Sequence, residues 1–525
     1  MMDSPRKLWS NTSYAVLTVF LVAFLYMGMV IYTPISELRG KKKYPFPDFD
    51  RILLSKMASS HEIDLTTNDR VVLIGDIHGM NHSLHKLLKK LDYKQDKDVL
   101  VFTGDMLAKT SHTGSLSLLD FFVENNMSMD NTTQRIFAVR GNHDQLIMQW
   151  RNWVEWYRDL NVPAKSTVGK DKTNPVKTGK EFLDLIEAEW AIERMRKEAD
   201  VEEWVDTARK RAEDTWREEF WKRIPPPGKG KHYQEWKMFG DHYWLARDMT
   251  QAHADFLRSL PLILHVPRYH FFVVHGGMLP SDPKFPPTHP RQPLSHHPNK
   301  HHHTPGSPPH LSSLSRFFLN DIPPERQELL VKRSDNDSVS ELRVMQEESL
   351  IHDIPQNLDW WNILNIRGVL KNGKVTRENE EGKPWSKLWN QQMKRCSGFD
   401  TSQALDDDND DGESAEYRLT CEPSTVVYGH AASRGLDIKR WSKGLDTGCM
   451  YERELTALVL SQPKRKITAD GPEDGFARTK HRFGDDDAGK AEIESSFVYV
   501  RFLAHVFCIS YSGSVSSLPV THSSI

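Results

Sequence analysis

Little in this sequence marks its class at a glance. Its 69 Lys and Arg against 72 Asp and Glu leave a formal net charge of −3 over 525 residues. No overall basic field exists, so a polyanionic partner must be drawn by a local cationic patch, and nucleic acid is not an expected partner. Cysteine is scarce too. Of the four present, Cys396 and Cys421 bracket an acidic stretch, SGFDTSQALDDDNDDGESAEYRLT. If the two pair, which requires an oxidising compartment, closing that loop contributes on the order of 3 kcal/mol. As free thiols they contribute nothing, and the residues leave both readings open. The acidic stretch begins like a calcium loop at Asp407, Asn409, Asp411 and Gly412. Arg418 stands where a bidentate Glu is needed, which excludes an EF-hand.

One uncharged apolar run, YAVLTVFLVAFLYMGMVIY from Tyr14 to Tyr32, matches the roughly 20 residues that cross a bilayer core. It exceeds the usual ~7–15 residues of a signal peptide, and no small-x-small cleavage site follows it. Residues 14–34 are therefore expected to form a transmembrane anchor in the lipid bilayer, after a short tail (1–13) and before a juxtamembrane linker (35–66). Arg6 and Lys7 precede the span, whereas Arg39, Lys41, Lys42 and Lys43 follow it; charge counting alone favours a cytosolic catalytic part. At the other end, 462–525 reads as a polar linker and tail. The apolar run after Phe497 contains Arg501 and His505 and is too short to span a membrane.

Against these absences, 15 Trp and 23 Phe supply a packed core, while 29 Pro and a 27% charged share point to ragged insertions. Five β-rich runs each end in polar residues: VVLIGD (Val71–Asp76), VLVFTGD (Val99–Asp105), RIFAVRGNHD (Arg135–Asp144), HFFVVHGG (His270–Gly277) and TVVYGH (Thr425–His430). Near-continuous apolar runs suit strands buried on both faces, so the fold class is α/β, with helices outside a β core and chemistry at the strand ends. Between the third and fourth runs Phe182, Ile186 and Trp190, then Trp204, Ala208, Ala212, Trp216 and Phe220, recur at steps of four. These mark a helical insertion over about 156–250 that serves as a packed cap or as a substrate-gating lid. Residues 280–316 are rich in Pro and His without apolar periodicity, and are expected to be a disordered surface loop.

Singly, GDIHG, GD, GNHD, HGG and GH are weak signals. In order, each after a β-run, they supply the carboxylate, imidazole and amide ligands suited to two borderline-hard divalent ions. With the segments SLPLILHV, NILNIRGV, GKPWSKLW and GLDTGCMYERELTAL, the chain resembles the PPP-type branch of calcineurin-like metallophosphoesterases. Within that branch it is most similar to the diadenosine-tetraphosphatase-like group that includes the fungal vacuolar endopolyphosphatase. The resemblance covers most of Asp69 to Ser461 and implies a β-sandwich core flanked by helices, within a metallophosphoesterase domain at 67–461.

It further implies that Asp76 and His78 bind one metal, that Asp105 bridges, and that Asn142, His275 and His430 bind the second. Zinc, manganese or iron fit such ligands, zinc or manganese being favoured. In that arrangement a bridging water of lowered pKa attacks phosphorus in line. Arg140 and Arg367 stand where the family binds phosphate, with Lys109 as a further cation, and His143 is the candidate acid for the leaving oxygen. Where PPP phosphatases carry GD-x-V-D-R-G, this chain has Gly104-Asp-Met-Leu-Ala-Lys-Thr110. Ala108 thus replaces the aspartate that orients the catalytic histidine, and Lys109 replaces an arginine.

A poorly oriented histidine matters less for a phosphate leaving from an anhydride than for a serine alkoxide. The expected function is therefore hydrolysis of inorganic polyphosphate. Phosphoprotein or dinucleotide polyphosphate hydrolysis is the alternative, and a metal-bound, non-catalytic scaffold stands behind both. The resemblance also implies a vacuolar membrane protein with a lumenal catalytic domain, since long domains translocate largely regardless of flanking charge.

Overall fold

Val71, Leu73, Val99 and Val101 point to one side of their strands, and Val72, Ile74, Leu100 and Phe102 to the other; both sets are buried. In the computed structural model the described residues are 46–461, apart from 60, 127–133, 162–177, 197–198, 226–235, 299–338 and 400–416. The backbone of two strands at 476–478 and 494–501 is also described.

The strands run β1 (Ser55–Met57), β2 (Arg70–Ile74), β3 (Asp98–Phe102), β4 (Ile136–Ala138), β5 (Ile263–Val266), β6 (Phe271–Val274), β7 (Gly368–Val369) and β8 (Val375–Thr376). After them come β9 (Lys383–Pro384), β10 (Thr425–Tyr428), β11 (Asp437–Lys439), β12 (Ser442–Gly444), β13 (Glu454–Ser461), β14 (Phe476–Arg478) and β15 (Glu494–Arg501). One sheet has the order β1-β5-β6-β10-β12-β11, a second β14-β15-β13-β2-β3-β4, and a small third one β8-β7-β9. The first two pack face to face through Leu73, Val99, Val101, Leu264, Phe271, Val273 and Val427. Their outer faces are covered by helices, with Phe102, Phe122, Trp150 and Trp153 in one layer and Phe272, Tyr428, Trp385 and Trp389 in the other. Burial on both faces explains why these strands read as unbroken apolar runs, each fully buried Val, Leu or Ile contributing about 1.5–3 kcal/mol. The architecture is the mixed α/β sandwich with flanking helices that the sequence implies.

Three expectations are modified, and one open alternative, the cysteine pairing, is decided. The core reaches beyond 67–461: β1 joins one sheet and β15, expected as tail, pairs with β13 from Glu454↔Arg501 to Ser461↔Glu494. In sequence, the β-branched and aromatic residues of FVYV are strand formers, and β15 lies between β13 and β14. In the insertion, the face from Trp204 to Phe220 is split into helices Val201–Arg211 and Arg217–Trp221. At the break Asp214 is left-handed (φ 59) and the Thr215 hydroxyl donates to Ala212 O at 2.6 Å. The described start of the Pro/His-rich loop is ordered, because Asp282 and Gln292 exchange hydrogen bonds and Leu294 is buried. Cys396 and Cys421 are joined as a disulfide. The remainder of that loop, most of the acidic stretch and the segment 14–34 lie outside the described residues. Among the described residues no helix is long and apolar enough to cross a membrane.

Candidate active site

Five strand ends meet at one edge of the sandwich: β2 leads to Asp76 and His78, β3 to Asp105, β4 to Asn142, β6 to His275 and β10 to His430. His78, Asp105 and His430 are all left-handed (φ 51, 48 and 65), a conformation costly for residues with a Cβ and concentrated at functional sites. Two glycines are fixed by contact rather than by φ. A Cβ on Gly141 would lie 2.1 Å from Asp105 N and Oδ1, and one on Gly429 would lie 2.0 Å from Asp76 Oδ1.

The side chains form two groups that share Asp105. Ligand atoms of Asp76, His78 and Asp105 lie within 4.8 Å of one another, as do those of Asp105, His275 and His430. Asp105 Oδ2 is 3.6 Å from His78 Nε2 and 3.3 Å from His275 Nε2. Asn142 Oδ1 is 2.9 Å from His275 Nε2, which is 3.2 Å from His430 Nδ1. His275 Nδ1 lies 3.0 Å from the Thr103 carbonyl; a carbonyl only accepts, so Nδ1 carries the proton and Nε2 is turned to the cluster.

Backbone donors brace the carboxylates. His430 N donates to Asp76 Oδ2 at 2.9 Å and His143 N to Asp105 Oδ1 at 2.9 Å. The second donor belongs to the N-terminus of helix Asn142–Arg158, whose positive end faces the acidic cluster. Asp144 accepts from Gly141 N at 3.0 Å and from Leu107 N at 3.3 Å, tying that helix to the turn after β3.

Residues 69–237 match the family model described as calcineurin-like phosphoesterase. The chain carries a calcineurin-like metallophosphoesterase domain. No curated protein matches the chain significantly. Among solved structures, one described as a diadenosine tetraphosphatase is 17% identical, covering 78% of this chain and 93% of its own, at a TM-score of 0.31. A protein serine/threonine phosphatase from Saccharomyces cerevisiae is 16% identical, covering 45% of this chain and 46% of its own, at a TM-score of 0.20. Likenesses that weak say nothing about substrate.

Within the metallophosphoesterase site, Asp76, His78, Asp105, Asn142, His143, His430, Lys109 and Arg367 line a cavity of about 330 Å³. Arg140 does not. It is fully buried, donating to Gln145 Oε1 at 2.7 Å and to the carbonyls of Arg51, Leu257 and Arg258. Its expected role at phosphate is corrected: the guanidinium is consumed in pinning three chain segments behind β4. Reading the motifs missed Asp446, Arg377 and Tyr451, which also line the cavity, and His242, whose Nε2 is 2.9 Å from His143 Nδ1. An acid two residues after β12 was a signal for Asp446. None existed for His242, 99 residues from its partner.

The residues fit the divalent ions such a domain binds. Asp76 Oδ1, His78 Nδ1 and His430 Nε2 are buried with no hydrogen-bond partner among the described residues, a costly state for polar atoms unless an ion takes them up. Burial, with Asp446 and Asp105 beside it, pushes the Asp76 carboxyl well up. Burial acts the same way on Asp105, yet the imidazoles of His275, His143 and His78 outweigh it and hold Asp105 well below the carboxylate range. Burial lowers the His143 imidazole, more than Asp105 raises it.

Proposed function

We propose that this chain hydrolyses phosphoanhydride bonds, with inorganic polyphosphate as substrate. In this reading Asp76, His78 and Asp105 hold one divalent ion, and Asp105, Asn142, His275 and His430 the other. Bound there, the ions supply Lewis-acid charge at the phosphoryl oxygens and lower the pKa of water. The protein supplies the rest. Lys109, Arg367 and Arg377 line the cavity and offset the charge of the phosphoryl group and its neighbours in the polymer. His143 offers a ring nitrogen to the leaving oxygen.

The observation that carries the anhydride preference is the environment behind His143. Residue 108 is a buried alanine, and His143 Nδ1 meets the His242 imidazole instead of a carboxylate. Burial, helped by Lys109, pushes His242 down to about 3, so it is uncharged. A neutral partner stabilises an imidazolium far less than a carboxylate does, which penalises alkoxide leaving groups and spares phosphate. A second reading, phosphoester hydrolysis on phosphoproteins, is favoured by the fact that His143 does have a ring partner. The two separate when one preparation, reconstituted with zinc or manganese, is given long-chain polyphosphate, a phosphoserine peptide and diadenosine tetraphosphate. Turnover of the peptide alone overturns the anhydride reading.

We further infer a vacuolar membrane protein anchored by 14–34 with its catalytic domain in the lumen. The Cys396–Cys421 pair supports an oxidising compartment. Digestion of the domain by protease added outside sealed vesicles overturns this.

A further inference from the structure

His143 is held from an unexpected direction. The Ala108 side chain offers no polar atom, whereas His143 Nδ1 lies 2.9 Å from His242 Nε2, with the two rings inclined by only 23°. His242 is the second residue of helix Asp241–Asp248, inside the helical insertion. Its neighbours fix that helix end. Asp241 Oδ2 accepts from Lys109 N at 2.7 Å, which fastens the insertion to the turn that carries Asp105. Tyr243 is buried, bonded to Glu187 and packed edge-on against Trp150 at 5.2 Å. His143 lines the cavity and His242 does not, so any influence of His242 on a substrate passes through His143.

We propose that His242 is a positioning residue for His143: its Nε2–H donates to His143 Nδ1 and so keeps Nε2–H of His143 turned into the cavity. The tautomer follows from the contact: at 2.9 Å the two facing nitrogens hold one hydrogen between them, and the accepting ring, being neutral, carries its own on its other nitrogen. If His242 is the donor, the other nitrogen of His143 carries hydrogen and can donate to a leaving oxygen. The insertion is then a component of the active site rather than a cap over it. This proposal rests on the phosphohydrolase reading above, in which His143 meets the leaving oxygen.

The test compares His242→Leu with His242→Gln, whose side-chain N–H can reach the same point as Nε2. Full-length protein is assayed on pyrophosphate and on aryl phosphates of increasing leaving-group pKa. In the Leu variant kcat is expected to fall by about 10–100-fold for the poorest leaving groups and by less than about threefold for pyrophosphate, with KM nearly constant. The Gln variant recovers most of the loss. A readout independent of turnover is the ¹⁵N spectrum of histidine-labelled, metal-free protein. His143, assigned by its absence in His143→Gln, should show the Nε2–H tautomer in the native and Gln proteins and a mixture in the Leu protein. An equal loss on all substrates in both variants, or no change in rate and tautomer, overturns the proposal. A native protein inactive on every phosphate compound refutes the phosphohydrolase reading instead, and the spectrum still decides the tautomer.

Discussion

Asp105 Oδ2 lies 3.3 Å from His275 Nε2, across the interface between the two large sheets. Asp105 follows β3 and His275 follows β6, so the candidate metal site is assembled only when the sheets pack. Because Asp105 also reaches His78, the two ligand groups are separable from their outer members. His275→Gln should weaken one ion by at least about tenfold and leave the other, and His78→Gln should do the reverse. Calorimetric titration of metal-free protein with zinc or manganese distinguishes this from a single mixed site, in which either change affects all binding.

Gly141 and Gly429 test how tightly the motifs are packed. Gly141 has φ −85, an ordinary value, so Gly141→Ala acts through its methyl group, placed against Asp105, and Gly429→Ala acts against Asp76. Each should cost about 1–3 kcal/mol of stability and lower metal affinity, as read by thermal melts with and without added metal. Unchanged affinity in both would mean that the carboxylates tolerate displacement.

Stability should peak in mildly acidic solution because of a cluster away from the cavity. Buried His265 bonds Glu347 at 2.7 Å and Glu348 at 3.1 Å, and Glu347 also receives His270 at 3.1 Å and the Ser424 hydroxyl at 2.9 Å. Burial opposes charge on His265, but the two glutamates overcome it and raise the group from 6.5 to about 9. Burial likewise opposes charge on Glu347, and the two histidines prevail, lowering it from 4.5 to about 2. The raised histidine stabilises fully below about pH 6.5 and loses that as pH rises through 9. The lowered glutamate stabilises above about pH 4.5 and loses that as pH falls through 2. Between those values the pair contributes on the order of 3 kcal/mol. The melting difference between native and Glu347→Gln protein should therefore be largest near pH 5–6 and shrink on both sides. A pH-independent difference contradicts the assignment.

The two arginines should behave oppositely. Arg140→Met strands Gln145 and buried carbonyls and should cost about 2–4 kcal/mol in chemical denaturation, with KM of the surviving folded protein little changed. Arg367 lines the cavity; its Nη2 donates to the His430 carbonyl at 3.0 Å, and its Nε has no hydrogen-bond partner among the described residues. Arg367→Ala should raise KM by about tenfold or more at nearly constant stability.

What could be read beforehand divides along physical lines. Asp76, Asp105, Asn142, His275 and His430 were legible because each closes a strand buried on both faces, where a polar residue stands out against an apolar run. Arg140 was misread because adjacency to Gly141 does not reveal which way a side chain turns at a strand end. His242 was invisible because its contact depends on how the insertion docks, and a lone histidine between Asp241 and Tyr243 has no local pattern. The order in 280–298 was missed since it comes from the hydrogen bonds that Asp282, Gln292 and Ser295 make with their surroundings rather than from periodic apolar residues.

The most direct test of the central proposal, metal-dependent polyphosphate hydrolysis centred on Asp105, is an assay of full-length protein on polyphosphate. The native chain and Asp105→Asn should be compared after chelation and after metal is restored. Shortening of the polymer that stops with chelator, returns with zinc or manganese, and is at least about 100-fold slower in Asp105→Asn is the predicted result. Equal hydrolysis by Asp105→Asn, or none by the native protein under any metal, contradicts it.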